Sequence, residues 1–586
     1  MGRRELSLMV GGPAGAGIMR TGQVFASMLI YMGYYVFGTN EYPSLIRGGH
    51  NMYKIYARLN KPVYSQYDTV DIYLALDQLA IKRREKEVAE NGIIIYDSDE
   101  VKSLEKTRND IKFLPIPLKS IVKEKKAPLV TRNMAGVGAV ARLLGIPFEY
   151  VEKAVRRNIP RYIDENIMIA KAGYEYAEKN YDLELEPLEV GEYKPRILID
   201  GNTATAIAAV KAGVKVFAAY PITPQTPILE YMARIADDYD IAVIQAEHEI
   251  ASILIAIGAA YAGVRAMTAT SGPGLALKTE SVGLASMSET PLVIVNVQRQ
   301  GPSTGMATQQ AQGDLLYTVH IGHSEYPLAV VAPGDIEEIF EKTLEAFNIA
   351  EKYQIPVIIL IDKHLAESHY TVDPENLNLA IPIERGEILS EKDIEEMKKR
   401  GEEYKRYKIT DTGVSPRVFP GTKGVVVRAE SSEHDENGFY TEDPVKVTAM
   451  WNKRWRKLET LARELDEKNI TTIKYYGVPA DEADFVIVTW GSTKGPVLEA
   501  MRILSKDGLK IGMLQVIYMK PFPSKKVVEV LEKARKVVVV ENNYQAQLAM
   551  LIREYTGFFI EHRIVKYDGR QFNPYQLSRK LLEVVK

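Results

Sequence analysis

The sequence predicts a multidomain α/β protein. Short runs of β-branched and aromatic residues recur along the chain. Several end at Gly, Pro or a hydroxyl residue and are followed by a segment of helical periodicity. At 586 residues the chain should form three or four domains, taking roughly 150 residues each as a loose prior. Two composition shifts place the boundaries. Residues 181–195 are rich in Glu, Pro and Leu, and residues 375–475 are charge-rich and interrupted by Pro416, Pro420 and Gly421. The expected division is 1–180, a linker over 181–195, 196–374, a connecting segment over 375–475, and 476–586.

In the first part, residues 5–10 read as a strand, Gly11 to Gly17 as a glycine-rich turn, and Ile18 to Met32 as an apolar helix. Such a turn lets backbone N–H groups approach an anion at a helix start, and it equally serves close helix–sheet packing. No acidic residue at the end of a clear second strand completes a nucleotide fingerprint. Arg47-Gly48-Gly49 places a cation beside exposed donors, suited to a phosphate, a subunit interface or a surface ion pair. Further strands are expected over 71–75 and 92–97. Helices follow over Arg132 to Gly145 and Glu149 to Asn158.

Residues 196–200 are expected to open the second α/β domain. Val214 to Ala219 reads as a strand stopped by Tyr220-Pro221-Ile222-Thr223-Pro224. Pro221 and Pro224 fix their own φ and press Tyr220 and Thr223 toward extended backbone. Thr223 is therefore held on a stiff loop at the carboxyl end of a strand, the edge where parallel sheets bind ligands. Gln225 to Asp237 is the next helix. Glu247 follows a strand over 241–245 and precedes the helix Ile250 to Ala262, apolar almost all round and expected to be buried. A carboxylate there is expected to be paired or perturbed. Thr270-Ser271-Gly272-Pro273-Gly274 reads as a loop that lets a ligand lie against backbone or simply turns tightly. The strand 291–297 delivers Arg299, whose planar fork can hold a carboxylate through two hydrogen bonds, with Thr308 beyond it. The last part, from Asp484, alternates strand and helix again.

Composition narrows the function. A formal net charge of −3 offers no polyanion-binding surface, so nucleic acid is not an expected partner. No apolar run reaches the ~18 residues of a membrane span. The basic Met1-Gly2-Arg3-Arg4 lacks a following h-region, which leads to the expectation of a cytoplasmic protein. Cysteine is absent, so the chain has no disulfide and no thiolate for an iron–sulfur cluster. Its 8 histidines show no metal-site spacing.

Tyr220-Pro221-Ile222-Thr223-Pro224 resembles the signature of the α subunit of 2-oxoacid:ferredoxin oxidoreductases. Gln245-Ala246-Glu247, Thr270 to Gly274 and the run Gln298 to Leu315 add to the resemblance, and the N-terminal part is similar to the family's γ subunit. The match covers most of the chain in the order of a fused γ–α subunit. It implies a γ-type domain, then a thiamine diphosphate-type pyrimidine- and substrate-binding domain, then a domain like the C-terminal domain of transketolase. It also implies roles. Glu247, ahead of its competitors Glu249 and Glu280, would hydrogen-bond the aminopyrimidine of thiamine diphosphate and so promote formation of the reactive ylid. Tyr220, Ser271 and Gly272 would border that cofactor. Arg299, Thr223 and Thr308 would receive the 2-oxo acid carboxylate, and Arg47 would serve coenzyme A.

Thiamine diphosphate enzymes hold the diphosphate through Mg²⁺ with a Gly-Asp-Gly segment and a downstream Asn, and this sequence has no Gly-Asp-Gly. Gln312-Gly313-Asp314-Leu315 comes nearest and lacks the second glycine. The resemblance therefore implies a partner β subunit carrying diphosphate, Mg²⁺ and a [4Fe–4S] cluster, in a heterodimer or a dimer of heterodimers. The implied reaction is CoA-dependent oxidative decarboxylation of pyruvate, 2-oxoglutarate or both, with ferredoxin reduced. Alternatives are an indolepyruvate or pyruvate-restricted member, or a noncatalytic scaffold subunit. Glu247→Gln is expected to impair ylid formation, and Arg299→Ala to weaken substrate use.

Overall fold

The computed structural model describes residues 2–43, 49–104, 108–182 and 185–585. Arg47 therefore lies outside the described residues. Three sheets carry the fold, with strands labelled in chain order.

The first sheet has eight strands. Its order is β6 (Lys112–Ile116), β5 (Val88–Asp97), β4 (Val70–Ala75), β1 (Glu5–Pro13), β3 (His50–Leu59), β2 (Tyr34–Glu41), β14 (His369–Val372) and β7 (Ile197–Asp200). The β6–β5–β4–β1 half is parallel, and the remaining pairings are antiparallel. Helices Arg132–Leu143 and Ile163–Asn180 pack on it with backbones in contact. A Cβ on Gly138 would lie 1.8 Å from the Ala170 carbonyl oxygen, and one on Gly173 would lie 2.0 Å from that of Ala135. Only hydrogen at both positions permits that approach. The glycine-rich turn is shorter than expected, because β1 runs on through Gly11, Gly12 and Pro13. Gly15 and Gly17 have φ of 82° and 77°, and Asn133 Nδ2 pins the turn by donating to the Ala16 carbonyl at 2.7 Å.

One expectation is corrected here. Residues 196–200 do not open the second domain's own sheet. As β7 they pair antiparallel with β14, which pairs with β2 and so extends the first sheet. The pairing joins segments far apart in sequence, and no local pattern encodes it. The linker also runs back along the first domain, with the Gly191 N–H donating to the Met32 carbonyl at 3.0 Å.

The second sheet has seven strands in the order β18 (Tyr518–Lys520), β12 (Ala329–Val331), β13 (Pro356–Asp362), β11 (Leu292–Gln298), β10 (Ala266–Thr270), β8 (Val216–Ala219) and β9 (Ala242–Gln245). Every pairing except β12–β18 is parallel. β11 and β13 are buried along their whole length, as Val/Ile/Leu-rich strands covered on both faces should be. From β8 the chain goes to β9 on one side, then crosses to β10 on the other. The β8–β10 gap is thus the topological switch point where such sheets leave a crevice. The third sheet orders β15 (Ile473–Gly477), β17 (Ile511–Val516), β16 (Phe485–Thr489), β19 (Val537–Glu541) and β20 (His562–Val565).

The connecting segment is fastened by buried charge. Its helix Pro444–Glu467 delivers Lys453 and Lys457 to Glu289. All three side chains are buried, and the Lys453–Glu289 separation is 2.5 Å. Burial alone would raise the Glu289 pKa. The two ammonium groups outweigh it and hold the carboxyl well below the usual carboxylate range. A second buried tie docks the third domain on the first. Glu499 receives Arg58 at 2.8 Å and the Tyr67 hydroxyl at 2.6 Å.

Candidate active site at the β8–β10 switch point

The strand ends of the second sheet bring most of the expected residues to one edge. Thr223 and Arg299 meet directly: Arg299 Nη1 donates to the Thr223 carbonyl at 2.8 Å, and Nη2 to the Thr304 carbonyl at 3.2 Å. Arg299 is 9% exposed, and its Nε is buried with no partner among the described residues. A buried, unmatched guanidinium N–H is costly unless an acceptor arrives. Burial lowers the Arg299 pKa, partly offset by the charge of Asp314. The loop after Arg299 turns back on itself, with the Gln300 N–H donating to the Gln309 carbonyl at 3.0 Å. That return carries Thr308, 8% exposed, past the strand end.

The YPITP loop is braced from below. Asn202 Nδ2 donates to the Pro224 carbonyl at 3.0 Å, and Gln225 Nε2 to the Tyr220 carbonyl at 2.8 Å. Tyr220 itself is 38% exposed on the rim.

Thr270 to Gly274 is not a free loop. A helix begins at Gly272 and runs to Met287 with Ser271 as N-cap, so the segment is a strand end passing straight into a helix start. Ser271 makes no side-chain cap. Its Oγ is buried without a partner, as is Asn296 Oδ1. Gly272 has a specific reason to lack a side chain: a Cβ there would come within 2.7 Å of Asp314 Oδ2.

Glu247 is corrected as well. A paired or perturbed carboxylate set against a buried helix is expected here, yet Glu247 is exposed, as are Gln245 and His248. The helix after it is not covered all round, since Ile250 and Leu254 are each 42% exposed. The buried carboxylate of this segment is Glu249, at 6%. It opens the helix Glu249–Tyr261, where the macrodipole favours an anion. It faces the TSGPG turn, because a Cβ on Gly274 would meet Glu249 Oε1 at 3.1 Å and Thr270 Oγ1 at 2.1 Å. Beneath it lies Lys278, fully buried. Its Nζ donates to the Glu249 carbonyl at 3.0 Å, to Thr268 Oγ1 at 3.0 Å and to Ser252 Oγ. Burial lowers the Lys278 pKa to about 7.

Asp314 is the residue that sequence reasoning undervalued. Asn296 Nδ2 donates to its Oδ2 at 3.0 Å, and its own N–H donates to Gln298 Oε1 at 3.0 Å. Burial pushes its carboxyl up to about 6, against the Asn296 hydrogen bond and the charge of Arg299. A carboxyl whose folded pKa is raised costs stability once it ionises. The cost is absent below the unfolded value near 3.8, grows as pH rises, and is complete above about 6. Asp314→Asn should therefore raise the melting temperature at pH 8 and barely change it at pH 4, as scanning calorimetry at the two pH values would show.

Among the described residues, no group of three or more His, Cys, Asp or Glu side chains converges as a metal site. No helix among them is long and apolar enough to cross a membrane.

Three family models match along the chain. That for pyruvate ferredoxin/flavodoxin oxidoreductase covers residues 7–176. The thiamine diphosphate-binding model of pyruvate flavodoxin/ferredoxin oxidoreductase covers 207–453, and core domain II of pyruvate:ferredoxin oxidoreductase covers 483–577. The 2-oxoacid:ferredoxin oxidoreductase subunit alpha of Sulfolobus sp. is 34% identical, over 99% of this chain and 97% of its own length. The 2-oxoglutarate oxidoreductase subunit KorA of Mycobacterium tuberculosis is 30% identical, over 92% and 86%. The solved 2-oxoglutarate:ferredoxin oxidoreductase of Magnetococcus marinus, with 2-oxoglutarate, coenzyme A and succinyl-CoA bound, superposes with a TM-score of 0.89. It is 31% identical, with each chain covered completely. With these domains in this order and full-length relatives on both counts, the chain belongs to the 2-oxoacid:ferredoxin oxidoreductase family, as its large subunit.

Proposed function

We propose that this chain, together with a β subunit, converts a 2-oxo acid, coenzyme A and oxidised ferredoxin into acyl-CoA, CO₂ and reduced ferredoxin. The observation that carries the reading is the Arg299–Thr223 contact at the switch point, with the Arg299 Nε buried and awaiting an acceptor. A 2-oxo acid carboxylate supplies that acceptor, and Thr308 adds a neutral donor beside it. The bound 2-oxoglutarate and CoA of the Magnetococcus enzyme support the substrate class.

The donor set also fits the aminopyrimidine of thiamine diphosphate. It offers a buried carboxylate at a helix start, Glu249, and unpaired buried oxygens on Ser271 and Asn296. Thiamine diphosphate, when bound, supplies the carbon nucleophile that attacks the 2-oxo group and the sink for the electrons released with CO₂. Glu249 would hold a proton toward the ring, and the Glu249 position is favoured over the exposed Glu247 by its burial and its place against Gly274. Arg299 fixes the acid's carboxylate. The absence of a Gly-Asp-Gly segment and of cysteine leaves diphosphate, Mg²⁺ and the [4Fe–4S] cluster to the partner.

A partner surface suits this division. Tyr220, Ile244, Ile250, Leu254 and Leu277 are 36–47% exposed near these strand ends. Apolar groups gathered there are what an interface requires. The test is to assay the reconstituted complex with pyruvate and with 2-oxoglutarate, following CoA-dependent ferredoxin reduction. Turnover of either supports the reading, and turnover of neither overturns it.

A further inference from the structure

The loop from Thr308 to Leu315 carries a candidate substrate hydroxyl and Asp314, yet much of what shapes it comes from the third domain. Gln312 is fully buried. Its N–H donates to the Asn542 carbonyl at 2.8 Å. Its Nε2 donates to the Trp490 carbonyl at 3.1 Å and to Asp362 Oδ2 at 3.0 Å. Its Oε1 accepts from Thr493 Oγ1 at 2.7 Å and from the Asn542 N–H at 3.2 Å. Its carbonyl accepts from Asn543 Nδ2 at 3.1 Å. Gln547, also from the third domain, grips both sides of Asp314. Its Nε2 donates to the Gly313 carbonyl at 2.9 Å, and its Oε1 accepts from the Leu316 N–H at 3.0 Å. Nearer Thr308, the Gln310 N–H donates to the Gly569 carbonyl at 3.1 Å.

A buried primary amide with both donors and its acceptor engaged has a fixed orientation, and it transmits that orientation to the backbone it holds. We propose that the third domain is the mould of the substrate loop. In it, Gln312 and Gln547 are positioning residues that keep Thr308 and Asp314 in register with Arg299. This rests on the reading that Arg299 and Thr308 receive the acid. Small displacements of a binding group are expensive in rate. The third domain's contribution is geometric.

The test uses the reconstituted complex and whichever 2-oxo acid the wild type turns over. Gln312→Met and Gln547→Met keep volume and remove the amide. Each should raise KM for the 2-oxo acid by about tenfold, the equivalent of one lost hydrogen bond, and leave KM for coenzyme A unchanged. Glu499→Gln weakens the same domain's docking at Arg58, away from the loop. It should lower the melting temperature and leave both KM values alone. Gln547 is the milder site and carries the test if Gln312→Met fails to fold. Arg299→Lys in the same series separates the two claims. If it raises KM while Gln547→Met, folded, does not, the positioning role is wrong and the substrate reading stands. If Arg299→Lys also leaves KM unchanged, the substrate reading falls and this inference with it.

Discussion

Arg299→Ala in the reconstituted complex is expected to lower kcat/KM for the 2-oxo acid by about a hundredfold, mostly through KM. The size follows from losing a charge-assisted interaction worth about 3 kcal/mol, at about 1.4 kcal/mol per factor of ten. The arginine has two jobs, and they separate by substitution. Its Nη1 and Nη2 hold the Thr223 and Thr304 carbonyls, while Nε has no partner among the described residues. Lysine keeps the charge but cannot form the two-pronged contact. Arg299→Lys should therefore recover part of the loss seen with alanine, and both variants should retain wild-type KM for coenzyme A. Steady-state kinetics with the two substrates varied separately checks this. A normal KM for the acid in a folded Arg299→Ala complex would remove the guanidinium from substrate recognition.

The second large effect is expected at Glu249. Glu249→Gln keeps the shape and abolishes the carboxylate that faces Gly274 at the start of its helix. Turnover should fall by about 10²–10⁴, the range of a lost acid–base partner, while KM for the 2-oxo acid changes little. Glu247, exposed two residues earlier, gives the internal comparison. Glu247→Gln should cost far less. The same kinetic series reads both. Similar losses for the two variants would mean that the exposed carboxylate is drawn into the site when the partner binds.

The contrast between these glutamates shows what the sequence does and does not disclose. The strand ends are legible, because β11 and β13 are rich in Val, Ile and Leu and prolines stop the chain after β8. Thr223 and Arg299 follow from those ends and do meet. Glu247 and Glu249, by contrast, differ only in which side of a strand-to-helix step they fall on. Burial there depends on Gly274, which the local pattern does not bring in. Asp314 is hidden for a similar reason. Its environment is made by Gly272 and Asn296, remote in sequence, and the sequence itself offers only a missing glycine. β2 and β3 are not marked by the sequence pattern. β3 interleaves Lys54 and Arg58 with apolar residues, and both are buried by ion pairs with Glu87 and Glu499. The alternation that marks a half-exposed strand is therefore absent. Pairing of β2 with β14 and of β12 with β18 joins segments that a division of the chain by composition assigns apart.

The central claim is that a carboxylate buried against the TSGPG turn serves the aminopyrimidine of thiamine diphosphate. Its most direct measurement is deuterium exchange at the thiazolium C2 position of the cofactor in the complex, by quenched-flow NMR without substrate. The account predicts slow exchange in Glu249→Gln, near-wild-type exchange in Glu247→Gln, and wild-type exchange in Arg299→Ala. Unchanged exchange in a cofactor-loaded Glu249→Gln complex would contradict it.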